Sequence, residues 1–560
     1  MKEQTRTDNI LDTIAIVLSG STTDTVKMQL TVAGERVARE GLLVLVEARR
    51  GEEKVIARIE RIVPVNEFYL EGDLWSEARR RGLEPPLLEE AARRYTLAEA
   101  AVLGRAGPRG LEELSAPPLP GDRVRLLGPG ELREALGLSE DEPGIVWFGE
   151  LLGYQGLGLP LDVENITMHV GVFGETGSGK SYGVGYLLEL LSRIPLGDGA
   201  YGALPAIVVD ANGDYLDYYE AYASGKQVGE YRRVYRLVFP SSPARYRPYT
   251  KPVTIDLDGF TAREIAEFII TYKAGGVELN ELQVSGLERV LRELEAMGYG
   301  FTELLTERIS LVYDMLDELS RGRSAAIHAQ TARAIRAALE KFHRDIVEGY
   351  RVISRKPGLD TGFIEELTRE PGLAILDFSA EGAPGVPLPV RQLVVAYLAR
   401  LLYKQFTLYK IRGEERYLVL VLEEAQNYAP NPRSYPVAWS LARDYLSLIA
   451  TQGRKFGLSL VLVSQRPIFV DPVVLSMLNT WIIYRLPVED VGYVSRASGG
   501  LPKTLERRLT KLPRGVAVVT GQMNVLGFPV LVRTGRRSVG HAMGRTRVVE
   551  TLRRLYSTGG

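Results

Sequence analysis

Cysteine is absent from all 560 residues. That excludes disulfides and thiolate metal sites. Histidine is nearly absent too: His169, His328, His343 and His541 stand far apart, which argues against a dedicated zinc site. No stretch approaches the ~18 uninterrupted apolar residues a membrane helix needs. The opening MKEQTRTDNILD lacks the apolar core of a signal peptide. A cytoplasmic protein with no membrane partner is therefore expected. Net charge is scarce, at −1, but it hides an asymmetry: residues 501–560 carry 12 Lys/Arg against Glu506 and Glu550. A basic end on a near-neutral chain suits an anionic partner, either nucleic acid or an acidic neighbouring subunit; a solvated tail is the plainer alternative.

What is present is ordinary in bulk and specific in detail. The hydrophobic fraction of 45% and charged fraction of 25% are those of a globular protein. The length suggests about three or four domains. Residues 174–181 read Gly174-Glu175-Thr176-Gly177-Ser178-Gly179-Lys180-Ser181, a P-loop of the form G-x-x-x-x-G-K-S/T. An apolar run precedes it and a helical one, starting at Tyr182, follows, as a strand–loop–helix phosphate cradle requires. Glycines let several backbone N–H groups turn toward one phosphate chain. Lys180 can reach the outer phosphates and the Ser181 hydroxyl can hold Mg²⁺, with the helix N-terminus adding favourable dipole charge. ATP and Mg²⁺ are the expected cofactors. The nucleotide-binding set is Gly174 to Ser181, with Tyr182 beside it.

Around this motif the chain changes texture. In residues 10–70, Val26, Met28, Leu30 and Val32 alternate with polar residues, the period-2 pattern of a half-buried strand. Similar runs at 13–18, 42–46, 55–59 and 124–127 suggest a small N-terminal β-barrel. It is interrupted by an Arg/Glu/Ala-rich, helix-like segment at about 74–104. Residues 105–122 and 128–160 read as loops and connectors. From 165 onward, buried-strand candidates at 169–173, 206–210, 373–377, 418–422, 458–464 and 480–486 alternate with helical segments, as a parallel sheet requires. Residues 260–350 form a helical insertion. There Leu287, Val290, Leu291 and Leu294 share one face, as do Leu305, Ile309, Val312 and Leu316. The expected division is a barrel at 1–145, an ATPase core at 146–259 and 351–535, a helical bundle at 260–350 and a basic segment at 536–560.

The second half of an ATPase site follows the apolar run 418–422, which ends in Glu423-Glu424. Open α/β sheets bind ligands at such strand ends. Glu423 is assigned to Mg²⁺ and Glu424 to the general base that activates water. Adjacent residues on a strand point to opposite sides, so the split of roles is an expectation for the structure to test. The run 458–463 leads into Ser464-Gln465-Arg466-Pro467, where Gln465 can hold the lytic water or read the γ-phosphate. Arg454, in Gly453-Arg454-Lys455-Phe456-Gly457, suits a trans-acting arginine finger, and Arg466 is its competitor.

Taken together, these segments resemble the HerA family of hexameric DNA translocases, within the HerA–FtsK group of RecA-like P-loop ATPases. The resemblance rests on the barrel, residues 174–181, Asp210-Ala211-Asn212-Gly213-Asp214-Tyr215, the helical insertion, Glu423-Glu424-Ala425-Gln426-Asn427, Gly453 to Gly457 and Ser464 to Pro467. It covers roughly residues 10–535. Two departures stand out. Family members usually read Asp-Glu-Ala-His where this chain has Glu423-Glu424-Ala425-Gln426, and Asp-Pro-His-Gly-Glu-Tyr where it has 210–215. The resemblance implies an archaeal-type RecA-like α/β core, a homohexameric ring with ATP between subunits, and double-stranded DNA through the central channel. It also implies a NurA-type nuclease at the barrel face, work in DNA end resection and repair, and a C-terminal brace on the adjacent subunit. Asp210 enters as a possible sensor. A ring ATPase acting on protein, or a rotary-type subunit, is the rival reading. Arg245, Arg247 and Lys251, interleaved with Tyr246 and Tyr249, are one candidate backbone grip.

Overall fold

A computed structural model describes residues 13–66, 69, 76–83, 94–107, 110–139, 142–154, 156–274, 280–322, 325–436 and 440–540. The N-terminal part is a closed barrel of six strands: β1 (Thr13–Val17), β2 (Thr25–Leu30), β3 (Leu43–Ala48), β4 (Glu53–Asn66), β5 (Arg94–Gly107) and β6 (Arg123–Leu126). Their order is β2-β1-β6-β3-β4-β5, and β5 pairs back onto β2, with Thr25 opposite Ala101. Closure leaves no free edge among these six.

β5 overturns the helical reading of 94–104. Its Ala, Leu and Glu residues are good helix formers, yet Thr96, Ala98 and Ala100 are buried at alternate positions. Pairing to β2 on one side and β4 on the other overrides that propensity. A short helix does occur at Ser76–Arg80, and residues 84–93 lie outside the described set. In the expected connector 128–160, Pro129–Leu136 forms a helix after Gly128.

The core is an α/β fold built on one sheet. Its main strands are β7 (Val170–Phe173), β8 (Ala206–Asp210), β9 (Arg233–Val238), β10 (Gly372–Asp377), β11 (Leu418–Leu422), β12 (Leu458–Ser464), β13 (Thr480–Ile483), β14 (Val516–Gly521) and β15 (Val530–Arg533). The order is β9-β10-β8-β11-β12-β7-β13-β14-β15, with short strands Thr250–Pro252 and Glu150–Leu151 at the two edges. From β9 to β13 neighbours run parallel; β14 and β15 are antiparallel. Parallel strands covered on both faces read as unbroken apolar runs. Alternation sorts them: Leu418, Leu420 and Leu422 join one core, Val419 and Val421 the other.

Helix α1 (Lys180–Leu191) covers the second face, in a core that continues into barrel residues Leu43, Leu45 and Ile56. The opposite face is covered by the insertion, with α2 (Ala262–Lys273), α3 (Glu281–Ala296), α4 (Ile309–Leu319) and α5 (Ala329–Phe342), and by α6 (Leu388–Ile411). The stripe Leu287, Val290, Leu291 and Leu294 is buried on α3 as expected. The second stripe is not one helix: Leu305 ends Phe301–Thr306, and α4 restarts after Arg308. The barrel is tied to the core by Arg58, whose Nη1 donates to the Pro529 carbonyl at 2.6 Å, and by Thr504 donating to Glu60 at 2.6 Å.

Candidate nucleotide-binding site

Strand order determines which side chains meet. β12 lies between the P-loop strand β7 and the acid-bearing β11, so the residue leaving β12 is placed between loop and acid. Gln465 occupies that point. Thr176 Oγ1 donates to Gln465 Oε1 at 2.8 Å, and Gln465 Nε2 donates to Glu424 Oε1 at 2.8 Å. Gln426 Nε2 donates to the other Glu424 oxygen at 2.6 Å, and is itself held by the Ser464 hydroxyl at 2.8 Å. The loop is thus joined to the base candidate by side chains alone.

The loop hangs between two strand ends. Gly174 N donates to the Ser464 carbonyl at 3.3 Å and Glu175 N to the Arg485 carbonyl at 2.9 Å. Gly177 and Gly179 have φ of 78° and 108°, the left-handed region that a side chain disfavours. At Gly179 a Cβ would also lie 3.0 Å from Gly515 N, whose N–H donates to the Ser178 carbonyl at 2.8 Å. Lys180 is only 7% exposed, and neither its ammonium nor the Ser181 hydroxyl has a hydrogen-bond partner among the described residues. A lysine and free loop amides at a helix N-terminus fit a phosphate chain. Tyr182 faces elsewhere: its hydroxyl accepts from Arg537 N at 2.9 Å.

Glu423 and Glu424 part as strand geometry demands, with one refinement. Glu424 has φ of 52°, so the strand alternation ends there and its carboxylate turns to the β12 side. Glu423 is 1% exposed and accepts from the Tyr215 hydroxyl through one oxygen. Lys180 is among the charges that act on it. With its second oxygen unpartnered and Ser181 free, the donors fit Mg²⁺, which takes few carboxylates and keeps waters.

Burial pushes the Glu423 carboxyl up to about 7 from an ordinary 4.5, and that of Asp210 up to about 7 from 3.8. For Asp210, backbone N–H donors oppose the shift. Because both folded values exceed the unfolded ones, the stability these groups contribute is full below about pH 4 and is lost as pH rises through about 7. Thermal melts of the nucleotide-free protein should therefore show a falling transition from about pH 5 to about 7.5, and Glu423→Gln should flatten the slope. An unchanged slope in that variant would mean that Glu423 is ionised throughout.

Three more candidate residues have their own surroundings. The Asp210 carboxylate is fully buried and accepts from the N–H groups of Asn212, Gly213, Asp214 and Tyr215 at 2.7–3.2 Å. It organises its own loop, with three of these N–H groups on Oδ1 and that of Tyr215 alone on Oδ2. Arg466 is held by two hydrogen bonds, at 3.1 and 3.3 Å, to Asp490, which is itself 0% exposed. Freeing it would strand a buried charge. Arg454 precedes β12, at the edge opposite the P-loop, a seven-residue strand away or roughly 20 Å. It is exposed and outside its own chain's site.

The structure gives roles to two motif residues that had none, Tyr215 and Gln426, which hold the two acids, and adds Arg485, which pairs with Glu175. Position alone marks Arg485, since it follows the strand beside the P-loop strand. The candidate grip at 245–251 is largely committed. Arg247 pairs with Glu220 and Glu381, each at 3.1 Å, and Lys251 with Glu366 at 2.8 Å. The start of the basic segment packs on its own chain: Ser538 donates to Glu189 of α1, and Arg537 covers Tyr218 on the helix Leu216–Ala223. The brace expected beyond 540 falls outside the described residues. No helix among the described residues is long and apolar enough to cross a membrane.

Known proteins bear on this site. Residues 146–402 match the family model for the central domain of helicase HerA. Over 532 residues the chain is 24% identical to the DNA double-strand break repair helicase HerA of Sulfurisphaera tokodaii, covering 93% of this chain and 92% of that one. Over 118 residues it is 39% identical to the probable HerA helicase of Methanocaldococcus jannaschii, covering 21% and 22% of the two chains. Among solved structures, the bacterial conjugative coupling protein TrwB aligns at 15% identity with a TM-score of 0.46, over 75% of this chain and 94% of that one.

Proposed function

Since this chain carries a HerA central domain and belongs with the HerA P-loop ATPases, we propose that it hydrolyses ATP to move along double-stranded DNA. The observation that carries this reading is the side-chain path from Thr176 through Gln465 to Glu424, which joins a phosphate cradle to a carboxylate base. The loop amides and Lys180 hold the phosphates, and Ser181 and Glu423 would hold Mg²⁺, which when bound neutralises phosphate charge. Gln465 orients a water, and Glu424 takes its proton.

The working form is a ring of six copies with DNA in the channel, and Arg454 of one copy serves the site of the next. A NurA-type nuclease at the barrel face and a role in end resection complete the reading. Steady-state ATP hydrolysis with and without linear duplex DNA tests it. Strong stimulation is expected. The DNA concentration it requires should rise by roughly 10³-fold between about 50 and about 200 mM salt, because the grip is on phosphates. Hydrolysis indifferent to DNA and salt would point to a protein-directed ring ATPase instead.

A further inference from the structure

Arg485 is the arginine that the site holds next to the P-loop without yet using. It leaves β13, whose residues pair in parallel with the P-loop strand, and its carbonyl anchors Glu175 N at 2.9 Å. Its Nε donates to the Glu175 carboxylate, while both Nη groups have no hydrogen-bond partner among the described residues. The pair is about one-third exposed on each side, at 35% and 36%. This sets it apart from the other two arginines. Arg466 is chelated by a buried aspartate, and Arg454 lies on the far edge. A single, half-solvated contact is weak, whereas phosphate oxygens offer a guanidinium two parallel charge-assisted hydrogen bonds. Glu175 is itself a residue of the phosphate-binding loop, so an incoming phosphate chain competes with it for the same guanidinium.

We propose that Arg485 is a catalytic residue of this site, kept beside the loop by Glu175 and passed to the γ-phosphate when ATP binds, so that it distinguishes triphosphate from diphosphate. The proposal rests on the nucleotide-binding reading and is independent of DNA. Glu175 acts as a placeholder: it stops Arg485 from wandering into solvent, and it sets a threshold that only a more strongly anionic group passes.

The test is equilibrium binding of a fluorescent, non-hydrolysable ATP analogue and of fluorescent ADP to the full chain without DNA. Arg485→Ala should weaken the ATP analogue about tenfold or more, the loss expected for a charge-assisted hydrogen bond, and leave ADP within about twofold. Arg485→Lys, which keeps the charge but not the fork, should fall between. Glu175→Gln should tighten the analogue relative to ADP. Equal loss of both nucleotides in Arg485→Ala and Arg485→Lys would overturn the proposal and leave Arg485 as a brace of the loop. Unchanged binding of both would overturn it too. Wild-type protein that binds neither nucleotide would sink the site itself, and a failure of DNA to stimulate hydrolysis would leave these affinities untouched.

Discussion

Glu424→Gln should bind ATP as the parent does and hydrolyse it about 10²–10⁴-fold more slowly, the span attributed to a positioned general base. The substitution suits its surroundings. In the parent, Glu424 accepts one hydrogen bond from Gln465 and one from Gln426. An amide at 424 can still accept from Gln465, but its NH₂ then faces the NH₂ of Gln426. A flip of Gln426 repairs this, since its oxygen turns to residue 424 and its NH₂ to Ser464, whose hydroxyl can accept as well as donate. The fold and the loop should therefore persist while the base is gone. Single-turnover hydrolysis alongside nucleotide binding reads the difference. Undiminished hydrolysis would place the base elsewhere; lost binding would make Glu424 a support of the nucleotide. Glu423→Gln should behave differently, raising the Mg²⁺ concentration needed for binding.

Arg454→Ala should lower hydrolysis by about 10³–10⁵-fold, the range for an arginine finger, with nucleotide affinity largely kept. The side chain lies at the opposite sheet edge from its own P-loop. Its effect can arise only across a subunit boundary. Mixing Arg454→Ala with Lys180→Ala tests that directly. Each variant alone is inactive, but a mixed ring contains interfaces where an intact Lys180 meets an intact Arg454. Partial recovery on mixing is the expected result. Full activity of Arg454→Ala alone would remove the finger. Inactivity of every mixture would show that the two residues do not serve a shared interface.

Much of this was legible because of burial. The runs at β7, β8 and β10–β13 are apolar on both faces, so their limits follow from composition to within a few residues. β9 escaped notice because Arg236 interrupts it. That guanidinium is fully buried against Asp377 at 2.7 Å, and a buried ion pair looks like surface in a one-dimensional reading. β14 and β15 carry readable apolar runs, but they sit in the arginine-rich end that drew attention as charge. β5 misled in the other sense, since helix-forming residues were recruited to close a barrel. At the site, the motif residues were found because their spacing is local. Tyr215 and Gln426 stood inside quoted motifs without a role, and Arg485 in none; Tyr215 and Arg485 reach theirs only after distant strands align, Arg485 and Glu175 being 310 residues apart in sequence.

The contact of Gly515 with Ser178, and of Thr534 with Gly515 behind it, has a consequence for synthesis. A ribosome completes the P-loop long before it completes the segment that packs beneath it. At about 5–20 residues per second, the nascent chain spends on the order of tens of seconds with the first but not the second. During that interval Ser178 and Gly179 lack the backbone that shapes them, and Tyr484 lacks its 2.8 Å partner Thr534. A chain cut at residue 500 should therefore carry the motif without its shaped loop, and should bind nucleotide more weakly than the whole chain.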